Sequence, residues 1–136
     1  MWHQDTALPL RLRREIPGWG PWSVKCGVLY AHAPAKALEG VVALRVHLDD
    51  SLPDNGPLRV LPGSHCLGVL SDAFIRDLAS RVLPYECIVS RGGILIMRPL
   101  LVHASSKAVT DAPRRVLHIE YAASLDLGSE LELDVA

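Results

Sequence analysis

The sequence predicts an all-β chain folded as a double-sheet jelly roll with one short surface helix, and three observations carry that reading. Ten glycines and ten prolines punctuate the 136 residues at short, fairly even intervals. The segments between them are rich in Val, Ile and Leu, which favours strands. The number of such extended runs reaches about what a jelly roll uses. Apolar residues make up 49% of the chain, enough for a core at this length, so intrinsic disorder is excluded and one domain is expected.

Taken in order, residues 24–32 and 41–48 are extended apolar runs and read as two strands of one antiparallel sheet. Gly18, Gly20 and Pro21 precede the first, and the turn-rich stretch 49–57 follows the second. Runs at 58–61, 86–89, 94–97 and 115–121 repeat the pattern. The helix falls near residues 71–82: Ser71 can cap it and Asp72 complements its positive end. Phe74, Ile75, Leu78 and Val82 share one face, and Pro84 stops it. The acidic stretch from Gly128 onward reads as a frayed end, which divides the chain into a core at 1–122 and a C-terminal tail at 123–136. No repeat, linker or second domain is visible.

Fourteen Lys and Arg against fifteen Asp and Glu leave a net charge of −1, which argues against a nucleic-acid or polyanion binder. No apolar run approaches the roughly 20 residues of a membrane span, and no charged-then-apolar leader opens the chain. The expectation is a soluble cytoplasmic protein with no nucleic-acid and no membrane partner. Cys26, Cys66 and Cys87 form no C-x-x-C pair and read as three reduced, mostly buried thiols.

Chemistry concentrates at the two ends. His3 and Asp5 are separated by one residue, so on a strand they share a face and can bite one metal together. Alone, His-x-Asp is commonplace. His103 follows an apolar run, and Arg114 lies eleven residues beyond it. Two histidines and one carboxylate on one face of an iron make the facial triad of non-haem Fe(II) oxygenases, beside which an Arg could hold a carboxylate cosubstrate.

Between these ends lies Asp54-Asn55-Gly56-Pro57-Leu58-Arg59-Val60-Leu61-Pro62-Gly63-Ser64-His65. With Trp2-His3-Gln4-Asp5, His103-Ala104-Ser105 and Arg114 in order, residues 2–122 resemble the phytanoyl-CoA dioxygenase group of 2-oxoglutarate-dependent oxygenases. The resemblance implies a double-stranded β-helix of cupin type, with His3, Asp5 and His103 as ligands to Fe(II). It implies 2-oxoglutarate and O2 as cosubstrates, a small-molecule substrate, and release of succinate and CO2. Arg114 would pair the distal carboxylate of 2-oxoglutarate, since its planar fork matches a carboxylate bidentately, and Ser105 would add a hydrogen bond. Arg115 would point to the opposite face, and a one-residue slip in register would reverse that choice. Arg45 stands where family members often place an aromatic near the cosubstrate. Turned inward it would touch 2-oxoglutarate or an anionic substrate; the alternative is a salt-bridged structural Arg. Asp5 favours hydroxylation, because a halogenase of this fold needs a small residue there.

Other residues rank lower. Lys25 reads as an exposed edge lysine. His65 closes its turn by bonding backbone, and His32, His47 and His118, lacking a near carboxylate, read as satisfied structural histidines. Trp19 and Trp22 either wall the mouth of the site or simply pack. Arg11, Arg13 and Arg14 form a solvated basic cluster. Members of the family usually carry a long N-terminal region before the first iron ligand, whereas Met1 stands two residues before His3. The chain is therefore expected to be either minimal or truncated, with its bare sheet edges covered by a second copy in a homodimer. Two rivals stay open: a non-catalytic remnant or binding module, and a cupin-like metalloprotein using Zn or Mn without 2-oxoglutarate. Nothing indicates a CoA pocket, and small acids, lipids and secondary metabolites all remain compatible as substrates.

Overall fold

A computed structural model describes residues 1–135. In chain order the elements are β1 (Ala7–Leu10), β2 (Trp22–Lys25), β3 (Val28–His32), α1 (Ala35–Leu38), β4 (Val41–His47) and β5 (Leu58–Val60). They continue with α2 (Asp72–Arg81), β6 (Tyr85–Cys87), β7 (Ile94–Met97), β8 (His103–Ser105), β9 (Val116–Ala122), β10 (Asp126–Gly128) and β11 (Leu131–Glu132). Every strand pairing is antiparallel, and the sheet orders are β1-β3-β2, β7-β4-β9, β6-β5-β8 and β10-β11.

The jelly roll expected from the sequence is the fold. Ala43 and Met97 of one three-stranded sheet pack on Leu58, Val60 and Cys87 of another, so β7-β4-β9 and β6-β5-β8 close over a shared core. A second apolar cluster joins β1 and β3 to α1, with Leu8, Leu10, Ala31 and Leu38 at its centre. In a third, Ile75 of α2 seals Leu61 and Val102. The outer face of β7-β4-β9 is also apolar: Ile94, Ile96 and Leu117 stand half exposed there.

Several expectations need correction. The run 24–32 is two strands of a tight hairpin, not one strand. Cys26 and Gly27 both take positive φ (50° and 81°), the geometry of a two-residue turn whose twist matches its strands. Nor do this run and 41–48 share a sheet, because β3 pairs with β1 and β2 while β4 pairs with β7 and β9. The frayed tail is also overturned: β10 and β11 form a hairpin, and Leu131 and Leu133 are 1% and 4% exposed within the first core cluster. Arg11 and Arg14, read as solvated, form ion pairs with Glu132 and Glu130 of that hairpin, and Arg13 pairs with Glu15. Finally, only Cys87 is buried; Cys26 and Cys66 are exposed.

The helix stands close to its expected span. The Ser71 hydroxyl accepts the Phe74 N–H, Asp72 sits in the first turn, and Ile75, Leu78 and Val82 face the core. Phe74, expected on that face, is instead exposed. Among the described residues no helix is long and apolar enough to cross a membrane.

Candidate metal centre

The first residues run extended beside β8. His3 and His103 exchange both backbone hydrogen bonds, at 3.0 and 2.9 Å, which sets them directly opposite with side chains on one face. Asp5, two residues on, returns to that face, and its N–H donates to the Pro99 carbonyl at 3.0 Å. One ligand atom from each of His3, Asp5 and His103 lies within 4.8 Å of the others. His103 Nε2 is 3.4 Å and His3 Nε2 3.8 Å from the Asp5 carboxylate, and the two rings stand 4.3 Å apart.

Hydrogen bonding fixes both tautomers. His103 Nδ1 lies 2.8 Å from the Leu101 carbonyl, and His3 Nδ1 lies 3.1 Å from the Met1 carbonyl. A carbonyl can only accept, so each Nδ1 carries the proton and each Nε2 turns its lone pair toward Asp5. Burial lowers the pKa of His103, against the opposing pull of the Leu101 bond and the Asp5 carboxylate, which keeps the ring neutral and able to ligate. Two imidazoles and a carboxylate on one face fit a divalent iron, with the opposite positions left for other ligands.

Gln4, between His3 and Asp5, points the other way. Its amide donates to the Gly68 and Leu100 carbonyls at 2.9 and 2.8 Å, and its Oε1 accepts the Leu70 N–H at 2.8 Å. All three bonds tie the ligand-bearing segment to the body of the fold. The sequence reading gave Gln4 no role; its position between two same-face ligands was the available signal.

Beside the trio opens a cavity of about 670 Å³ walled by Lys25, Tyr30, His32, Arg45, His118 and Glu120. Arg45 on β4 and His118 on β9 are direct cross-strand partners, with Arg45 Nη1 3.2 Å from His118 Nδ1. His118 Nε2 is 3.5 Å from Glu120, so His118 does have a carboxylate neighbour, contrary to expectation. The sequence analysis passed over Glu120, although it lies two residues from His118 and therefore on the same face. Arg45 forms no salt bridge among the described residues; burial and then the Arg114 charge lower its pKa. Lys25 is exposed as expected, its ammonium 5.2 Å over the Tyr30 ring.

Arg114 and Ser105 do not line this cavity. Arg114 Nε donates to the Asn55 carbonyl at 3.3 Å, while both Nη groups lack a partner among the described residues. Asn55 is itself fixed, its side chain accepting the Leu52 N–H and donating to the Asp50 carbonyl. Arg115 faces away in a bidentate pair with Asp49, whose carboxyl it holds well below the usual range. Ser105 is exposed two residues past His103, without a side-chain hydrogen bond among the described residues.

Two more histidine readings change. His47 is 1% exposed, yet neither ring nitrogen has a hydrogen-bond partner among the described residues. Burial, then Arg45 and Arg114, lowers its pKa. His65 is exposed and makes no such bond either; its turn is held by Ser64, whose hydroxyl accepts the Val102 N–H at 2.8 Å. His32 pairs with the Thr6 hydroxyl. Trp19 and Trp22 pack on the first core cluster and do not line this cavity.

Comparison with known proteins places the chain in a family. No curated protein sequence matches the chain. Among solved structures, EctD from S. alaskensis with bound Fe is 31% identical at a TM-score of 0.53, over 61% of this chain and 31% of that one. The same enzyme with 2-oxoglutarate and 5-hydroxyectoine is 28% identical at 0.54 over the same shares of the two chains. AviO1 from Streptomyces viridochromogenes Tue57 is 27% identical at 0.55, over 90% of this chain and 47% of that one. The chain thus spans less than half the length of these proteins. The model of the phytanoyl-CoA dioxygenase (PhyH) family matches residues 1–116. The chain belongs to the phytanoyl-CoA dioxygenase family.

Proposed function

We propose that this chain is the metal-bearing core of an Fe(II)- and 2-oxoglutarate-dependent oxygenase that hydroxylates a C–H bond of a small organic substrate. The observation that carries the reading is the convergence of two Nε2 lone pairs and one carboxylate, with both tautomers already set by backbone carbonyls. The solved relatives hold iron and 2-oxoglutarate, which supports the same pair here. Bound at His3, Asp5 and His103, Fe(II) with 2-oxoglutarate supplies O2 activation, with release of succinate and CO2.

The chain's own residues bind and orient. Arg114, anchored through Nε, keeps its two Nη groups free to meet the far carboxylate of the oxoacid as a fork. Ser105 adds a hydroxyl donor from the end of β8. Arg45, inside the cavity and without a salt bridge, contributes a second positive charge toward the cosubstrate. Asp5 occupies the third protein position, which favours hydroxyl transfer over halogenation.

The test is an anaerobic titration with Fe(II) and 2-oxoglutarate, following the visible charge-transfer band. The band is expected in the parent and in Arg115→Ala, and is lost in His103→Ala and Arg114→Ala. A parent that binds Fe(II) but forms no band with 2-oxoglutarate overturns the reading.

A further inference from the structure

Beside Arg45, which the oxygenase reading turns toward the cosubstrate, the cavity next to the metal centre holds His118, Glu120 and Lys25, to which that reading gives no role. Its floor carries a directed chain. A guanidinium has no acceptor, so Arg45 Nη1 donates to His118 Nδ1 at 3.2 Å. His118 must then carry its proton on Nε2, facing the Glu120 carboxylate 3.5 Å away. Glu120 stands at the cavity wall, with its side chain 35% exposed and no other ion pair or hydrogen bond among the described residues. On the β2–β3 hairpin, Lys25 lies over the Tyr30 ring. Its ammonium has no carboxylate partner among the described residues, and both Lys25 and Glu120 line the one cavity.

The walls thus offer both a fixed acceptor and a cation, and Ala7 is the only purely aliphatic side chain among the described residues lining the space. An acyl chain entering it would desolvate Lys25 and Glu120 without compensation, a penalty that an apolar ligand cannot offset. A molecule with a carboxylate at one end and an ammonium at the other meets both groups.

We infer that the substrate is a small amino-acid-like zwitterion, its ammonium received by Glu120 and its carboxylate by Lys25. The inference rests on the proposed oxygenase function for the metal and cosubstrate, and adds the substrate's chemical class.

The experiment uses the chain loaded anaerobically with Fe(II) and 2-oxoglutarate. The charge-transfer band is recorded first, and its perturbation is then followed on adding each of the twenty amino acids, with N-acetylated amino acids, hexylamine and octanoate as comparators. The expected result is a set of free amino acids that shift the band and that lose about tenfold in affinity on N-acetylation, the loss of one charge-assisted contact. Glu120→Gln and Lys25→Met should each cost about tenfold for the same ligands, while the Fe(II) and 2-oxoglutarate midpoints stay those of the parent. The inference is overturned if the band forms normally yet no amino acid shifts it, if octanoate binds more tightly, or if the two substitutions leave affinity unchanged. A chain that never forms the band refutes the oxygenase reading instead, and this inference with it.

Discussion

Replacing Gln4 by Leu keeps the side chain's bulk and removes three hydrogen bonds: two donated to the Gly68 and Leu100 carbonyls and one accepted from the Leu70 N–H. Each is part-buried and is worth about 1 kcal/mol net, so the segment carrying His3 and Asp5 should lose roughly 2–3 kcal/mol of its attachment. Remaining ties include the paired His3–His103 backbone bonds, the Asp5–Pro99 bond and the packing of Trp2 on the third core cluster beneath Arg59. A terminal segment pays such a loss locally, by fraying, before the core melts. Metal affinity should therefore fall by about 30- to 100-fold, since roughly 1.4 kcal/mol is a factor of ten, while the metal-free melting temperature moves by only a few degrees. Co(II) titration through its visible absorption, run beside a metal-free melt, separates the two. Faster hydrogen exchange at the His3 and Asp5 amides would accompany the effect. Gln4→Glu should be worse still, because it sets a carboxylate against two carbonyl oxygens. If Gln4→Leu binds Co(II) within twofold of the parent, Gln4 does not hold the centre in place.

Other substitutions test the frame. His47 is neutral, buried and unpartnered, and its folded pKa lies below the ordinary imidazole value of 6.5. The unfolded chain therefore takes up the proton first, so stability present above that value is lost as pH falls through it. His47→Leu should flatten that acid-side decline in urea midpoint and raise stability at pH 6 by about 1 kcal/mol; an unchanged pH dependence counts against it. Leu131→Ala should cost about 2–5 kcal/mol in urea unfolding if β10 and β11 are part of the core, whereas a frayed end predicts almost none. Gly56→Ala should destabilise by about 2–4 kcal/mol, because φ is +80° and an added Cβ would stand 2.8 Å from the Ser106 carbonyl oxygen. A loss below about 0.5 kcal/mol would show that the 54–57 turn relaxes freely.

By itself the sequence determined the composition of the core, the periodicity of its strands, the capped helix after Ser71, and the three residues, His3, Asp5 and His103, whose side chains the fold brings within 4.8 Å of one another. These are local signals: alternation, a cap three residues from its donor, a His and an Asp on one face of an extended segment. Arg114 and Arg115, adjacent residues just before β9, turn apart, one toward the Asn55 turn and one out to Asp49. What local pattern could not contain, tertiary structure decided. Register across β4 and β9 placed Arg45 beside His118 and made a relay of residues that look unrelated in order. The run 24–32 bent because two consecutive residues take positive φ, which apolar periodicity does not encode. Leu131 and Leu133 found a core contributed by β1, β3 and α1, so an acidic end that reads as frayed became a hairpin. The centre itself follows the same rule: His3 and His103 lie a hundred residues apart, and only the closure of the sheet makes them neighbours with their Nε2 atoms turned to one point.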